Sequence, residues 1–504
     1  MTEGPNKGRS WKFQYLWNTA SNYGKVVIRM ATGLILFRML FSNLDSASFG
    51  MWALLWSVFG YGILLDFGLG FACQKVVAEK QVTKDIDSIN SMLATVFWAF
   101  CGLATIIVAS SFILRPWALN ALGVDGDNIA EMSQAYTIFF IGMAIIFPTG
   151  IFTEVLRGMQ RFDWVNGAMV IANLINFGAL WYALETGLNL STLMTISLAT
   201  TLLPNLISAA LAFLHLKGLS LNPKYFSWSG IKPQIGFSIA AYLITCSNMI
   251  TGKSDQMVVG FIIGVSGVAL YQSGYKIAEM FSLFVIQIQE ALSPLAASLN
   301  ALEDKSAFLD VYFRAQRLTL VISVSLCALC FAYVDSLILV LTGMEYVPDE
   351  ARYIGLALLL TILSSQITNS VSKRMLMMSG YEKPLLAISI SDACLNIVIS
   401  ILLAYHFGIV GVALGSLIPT ILLGWFWVMP LTLSALKTSP RNWFRKACLP
   451  EFPWLAAGVG ILASWLYVYP GVASDSPLEL IKMSLIPGLV FITIIGVRLK
   501  QILL

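Results

Sequence analysis

Residues 38–80, RMLFSNLDSASFGMWALLWSVFGYGILLDFGLGFACQKVVAEK, decide how the chain is read. The stretch holds the end of one apolar helix, a short polar turn, and a second apolar helix interrupted by a lone carboxylate, Asp66, before a basic run from Lys75 to Lys80 closes it. Apolar segments of about 20 residues on either side of a short turn are long enough to cross a hydrocarbon layer ~30 Å thick. The turn is too short to fold alone. The pattern predicts a membrane-crossing helical hairpin.

The same pattern extends to both ends. Of 504 residues, 58% are hydrophobic and 12% charged, about half the ~25% charged fraction of a soluble domain; mean hydropathy is +0.78. About 14 apolar runs, from 22–42 to 478–497, predict an all-α polytopic membrane protein. The N-terminal MTEGPNKGRSWKFQYLW lacks the short apolar core and small-residue cleavage site of a signal peptide, so the first helix is expected to remain as a span. The seven cysteines lie mostly in apolar segments, Cys327 and Cys330 inside one uninterrupted helix, which predicts packing residues rather than disulfides. His215 and His406 have no second ligand at metal spacing, so no metal and no cofactor is expected. The longest loops, about 20 residues, cannot fold into a catalytic domain. The acidic loop with Asp125, Asp127 and Glu131 reads as a solvated turn. An enzyme is not expected.

Lysine and arginine mark the sides of the membrane. With a cytoplasmic N-terminus, every second connection is basic, including Arg157 and Arg161, whereas the opposite side holds only Arg115, Arg352 and Lys482. Both termini are therefore expected in the cytoplasm. The Pro-, Gly- and Ser-containing loop 215–234 divides the chain into an N-terminal lobe of six spans (1–214) and a C-terminal lobe of six (235–436), with two further spans in 437–504. The lobes are weak repeats. VLRGMQRFDWVN with Asn176 downstream aligns with RMLMMSGYEKPL and Asn396, and SFGMW (48–52) with VALY (268–271), at an offset of about 219–220 residues. Such repeats predict two lobes around a central cavity.

Charged residues within the spans point to that cavity, because a mid-membrane charge costs at least ~2.5 kcal/mol on insertion scales. Asn18, Asn22, Lys25, Arg29 and Thr32 recur on one face of the first span. Arg38 lies nearer the far end, where snorkelling to the interface is the alternative. The seventh span carries Lys253, Asp255 and Gln256; the eighth carries Gln272, Lys276 and Glu279. Lys276 and Glu279 can pair on their own helix. Lys253 and Asp255 do not face each other, and Asp66 and Asp392 are candidate partners. A surplus of cations suits an anionic substrate; the alternative is that they neutralise Asp66, Asp255 and Glu279 as salt bridges locking the lobes.

The opening stretch, read as R-x-L…FGxW…LDFGLGxA…K-x-VAE, resembles the O-antigen (Wzx-type) polysaccharide flippases of the multidrug/oligosaccharidyl-lipid/polysaccharide superfamily. So do LRGMQRFDWVN (156–166) and SDQMVVGFIIGVSGVALYQSGYKIAE (254–279). The resemblance implies alternating-access translocation of an undecaprenyl-pyrophosphate-linked oligosaccharide across a bacterial inner membrane. It assigns the pyrophosphate to Arg29 and Lys253, with Lys276, Lys25 and Arg38 supporting, and leaves Asp66, Asp255 and Glu279 as cavity or ion-coupling carboxylates. Trp52, Trp56, Tyr242 and Tyr275 are candidates for stacking on sugars. A polysaccharide polymerase and a chain-length regulator are the implied partners; nucleic acid is not. A cation-coupled multidrug exporter of the same superfamily is the alternative, disfavoured by Arg29 where a cationic drug needs an acid.

Overall fold

The computed structural model describes residues 11–124, 128–227, 239–290, 305–469 and 474–503. All regular structure among them is helical. The chain divides into two compact units, Met1–Tyr242 and Leu243–Leu504.

In the first unit, α1 (Trp11–Asn43) packs on α7 (Phe162–Glu185), and α5 (Ile129–Thr149) packs between α4 (Ile86–Ala121) and α8 (Leu190–His215). The second expected span is broken, as its lone carboxylate suggests. α2 (Ser46–Gly60) starts where Asp45 accepts hydrogen bonds from the Ala47 and Ser48 N–H groups at 3.1 and 3.2 Å, an N-cap that satisfies otherwise orphaned donors. A 3₁₀ turn, Tyr61–Leu65, leads to Phe67 and Gly68, both at positive φ, before α3 (Leu69–Thr83) resumes. Asp66 bridges the break by accepting from the Gly70 N–H at 2.9 Å. In hydrocarbon such a break persists only where freed backbone groups find partners. The core of the unit gathers Cys73 and Val77 of α3, Leu93 of α4, and Val155 and Leu156 of α6 (Ile151–Gly158). α6 docks on α3 because Gly158 lacks a side chain: a Cβ there would lie 2.6 Å from the Gln74 carbonyl oxygen.

In the second unit, α9 (Ile239–Ile262, whose residues from Leu243 on belong to this unit) and α10 (Val265–Glu290) precede α11 (Lys305–Ala332) and α12 (Val334–Thr342). α13 (Asp349–Ser365) packs against α10 and α15 (Glu382–Leu423). A π-turn, Gln366–Ser370, joins α13 to α14 (Val371–Met378), and another, Gly424–Val428, joins α15 to α16 (Met429–Ala435). The two π-turns touch where Gly424 faces the Thr368 hydroxyl, a place with no room for a Cβ. Gly408 (φ 59°, ψ −141°) kinks α15 in backbone space that suits only glycine, between the expected spans 384–405 and 409–435. After the short α17 (Pro440–Trp443), α18 (Phe452–Val468) and α19 (Pro477–Leu503) pack on α11, so 437–504 belongs to the second unit.

Among the described residues, eight helices are long and apolar enough to cross a membrane, or nine if the pair 440–448 and 452–468, bent by 56°, counts as one. That is fewer than the expected 14: residues 382–435 run on as one helical stretch through the Gly408 kink, and α2 and α3, at 15 residues each, are too short to count. Large apolar side chains face outward, among them Ile113 (78% exposed) and Phe426 (77%), as lipid contact requires and water does not tolerate.

Candidate functional site

The polar stripe of α1 is divided. Lys25 donates to Asn166 Oδ1 at 3.0 Å and Thr32 to Asn173 Oδ1 at 2.8 Å, so both are held against α7. Arg29, on the same face, is exposed and makes no ion pair among the described residues. Arg38 is half-buried nearer the end of α1. The side chains of Asn18 and Asn22 fall outside the described ones.

Two carboxylates converge beside this stripe. A Cβ built on Gly70 would lie 3.1 and 3.2 Å from the Asp66 oxygens and 3.3 Å from Glu154 Cγ. A glycine there leaves Asp66 and Glu154 uncrowded at this approach. Glu154 pairs with Arg157 at 2.5 Å one turn along α6. Arg157 and Arg29 both lie within electrostatic reach of Lys25. Sequence reasoning missed Glu154 and placed Arg157 among loop cations; the only signal was a Glu–Arg pair three apart at the end of an apolar run. Trp52 and Trp56, candidates for sugar stacking, lie in an aromatic cluster with Phe59 and Phe139.

In the second unit, Asp255 sits in a hydroxyl network. Asp255 Oδ2 accepts from the Tyr271 and Ser416 hydroxyls, each at 2.7 Å. Asn396 donates to Ser416 Oγ at 2.7 Å and accepts from Ser254 Oγ at 2.8 Å. These residues are buried, and Asp255 Oδ1 has no hydrogen-bond partner among the described residues. A buried carboxyl oxygen left open in this way can receive a proton or a small cation. Lys276 and Glu279 form the same-helix pair, at 2.7 Å. Lys253 lies over the ring of Tyr275, 5.7 Å from its centroid, and Tyr275 stacks on Tyr271. Asp392 sits within electrostatic reach of Lys373. Among the described residues no group of three or more His, Cys, Asp or Glu side chains can hold a metal, and all seven cysteines are free.

The repeat offset relates two of these networks. Asn176 accepts from Thr200 at 2.8 Å and Ser197 at 3.4 Å, mirroring Asn396 with Ser416. The positions matching Asp255 in the first unit are Ile35 and Leu36. Only the second network is ionisable.

The fold is that of transporters of the MOP superfamily. An inward-facing multidrug resistance MATE transporter superposes with a TM-score of 0.65 at 16% identity, covering 82% of this chain and 99% of that one. Lipid II flippase MurJ in an inward closed conformation superposes at 0.64 and 15% identity, covering 93% and 100%. A Pyrococcus furiosus MOP transporter, described as having a binding pocket of reversed polarity, gives 0.58 at 15% identity, covering 87% and 100%. Comparison with curated protein sequences finds no significant match. The sequence model of the polysaccharide biosynthesis protein family matches residues 35–351, more than half of the chain, and the chain belongs to that family.

Proposed function

We propose that this protein is a flippase that moves an undecaprenyl-pyrophosphate-linked oligosaccharide across a bacterial inner membrane by alternating access. The observation that carries the reading is Arg29: an exposed guanidinium on an apolar helix, with no ion pair among the described residues, near Lys25, which has Arg157 within electrostatic reach as well. A cation left uncompensated at membrane depth is costly unless a ligand completes it, and a guanidinium fork matches phosphate oxygens. Family membership points to the glycan, and the MurJ-like fold is compatible with a lipid-linked cargo. Lys253 is proposed as a phosphate ligand within the second unit. Asp255, the ionisable member of the buried hydroxyl network, is the site at which a proton or sodium ion couples to transport.

The test is translocation in proteoliposomes, with a lectin outside reporting lipid-linked oligosaccharide that has crossed. Wild type runs beside Arg29→Gln and Lys253→Gln. A lost charge-assisted hydrogen bond is worth ~1.5–3 kcal/mol, so each variant is expected to lower substrate affinity roughly 10- to 100-fold. Full activity in Arg29→Gln removes the phosphate assignment. Transport of small cationic dyes instead of the lipid replaces the flippase with a multidrug exporter.

A further inference from the structure

We propose that Glu154 is a latch on a further substrate-binding cation, Arg157, and that the pyrophosphate group displaces the latch. The inference deepens the flippase reading and rests on it. Glu154 and Arg157 pair at 2.5 Å, yet neither side chain is sealed, at 19% and 33% exposed. Each partner also has a neighbour of its own sign. Glu154 shares the space over Gly70 with Asp66; Arg157 lies within reach of Lys25, which has Arg29 beside it. Three cations thus stand against two carboxylates, and Glu154 alone does not neutralise the positive charge around Arg157.

A pyrophosphate carries more charge than one carboxylate and offers several oxygens to a guanidinium fork. It would interact with Lys25 and Arg29 as well as with Arg157. Exchanging Glu154 for that ligand thus gains attractions that the carboxylate alone cannot supply. The exchange needs only a side-chain swing. α6 is fixed on α3 by the close approach of Gly158 to Gln74 and by Gln81 Nε2 donating to the Gly158 carbonyl at 3.3 Å. Among the described residues, Glu154 also lies within electrostatic reach of Asp66 and of the buried thiol of Cys73.

The experiment is equilibrium binding of farnesyl pyrophosphate to the purified full chain in detergent, for wild type, Glu154→Gln, Arg157→Gln and the double variant. A latch and its captive give opposite signs. Glu154→Gln is expected to tighten binding several-fold, up to ~10-fold, and Arg157→Gln to weaken it ~10-fold, with the double variant behaving as Arg157→Gln. A structural ion pair predicts that both single variants weaken binding or leave it unchanged, and either result overturns the latch. Should Glu154→Gln fail to fold, Glu154→Asp shortens the reach by one methylene and is expected to tighten binding partially; unchanged or weaker binding there refutes the proposal. No binding by wild type overturns the flippase reading with it. Binding by wild type that Glu154→Gln does not tighten overturns the latch alone.

Discussion

Replacing Glu451 is expected to loosen the C-terminal helices more than any surface substitution. Its side chain, at the start of α18, is fully buried (0% exposed). It accepts from Arg317 Nε of α11 at 2.6 Å and from Arg498 of α19 through Nε at 2.6 Å and Nη2 at 2.7 Å. Arg498 is only 8% exposed, whereas Arg317 is 23% exposed. Glu451→Gln thus strands a buried guanidinium, a loss of ~3–5 kcal/mol. Arg317→Met leaves the two-bond pair with Arg498 intact and removes one charge-assisted hydrogen bond, ~1.5–3 kcal/mol, reduced by partial exposure. Replacing all three residues with Met leaves no buried charge and is expected to lie close to wild type. Denaturant unfolding in micelles measures the global cost, and the rate of thiol modification at Cys448, three residues before Glu451, reports local release. Glu451→Gln within ~1 kcal/mol of wild type, or Arg317→Met the more damaging of the two, refutes the reasoning.

Two further outcomes follow from the geometry. Asp255→Asn keeps an oxygen for the Tyr271 and Ser416 hydroxyls but removes the ionisable group; the protein is expected to fold and bind substrate while translocation loses its response to an imposed proton or sodium gradient, and an undiminished response excludes Asp255 as the coupling site. Asp85, which caps α4, is held down to about 2 from its ordinary 3.8 by hydrogen bonds from the Ser88 hydroxyl and N–H and by Lys80. Its stabilisation of that turn is therefore complete above its ordinary value and is lost as pH falls through about 2, so amide exchange at the start of α4 should accelerate in that window in wild type and not in Asp85→Asn.

The sequence carried the features that are local. The lone carboxylate in residues 48–72 announced the break at Asp66–Gly68, and the spacing of Lys276 and Glu279 announced their pair. Capping aspartates stood where turns were expected. What stayed hidden depends on residues far apart in the chain. Glu451 meets Arg317 across 134 positions and Arg498 across 47, and each of these charges reads as a loop residue until α11, α18 and α19 pack together. Glu154 and Asp66 meet over Gly70, whose missing side chain leaves them uncrowded, and a glycine in an apolar run does not declare which neighbours it admits. The π-turns have no composition of their own. Their trace is a close approach, Gly424 to Thr368, together with a buried glutamine, Gln316, whose amide reaches the Ile367 carbonyl.

The repeat shows how one frame came to serve two kinds of charge. Thr149 and Thr368, at the same offset, mark interrupted helices in both units. In the first, Asn205 donates to the Ile146 carbonyl and to the Thr149 hydroxyl at 3.1 and 3.2 Å. In the second, the matching position is Gly424, and Gln316 supplies the amide from another helix. The backbone problem recurs; the side chain that solves it does not. Beyond the interruption the polarity diverges as well: Glu154 and Arg157 correspond to Lys373 and Leu376, and Asp255 corresponds to Ile35 or Leu36. Under the proposed function, the cations beside exposed Arg29 in one unit suit an anionic cargo, and the buried, hydroxyl-bonded carboxyl of Asp255 in the other suits a coupling cation. A carboxylate among the phosphate ligands would compete with the cargo, as Glu154 is proposed to do reversibly. Asp255, held by hydroxyls and making no ion pair among the described residues, would under the same proposal leave its ionisation answerable to a coupling ion.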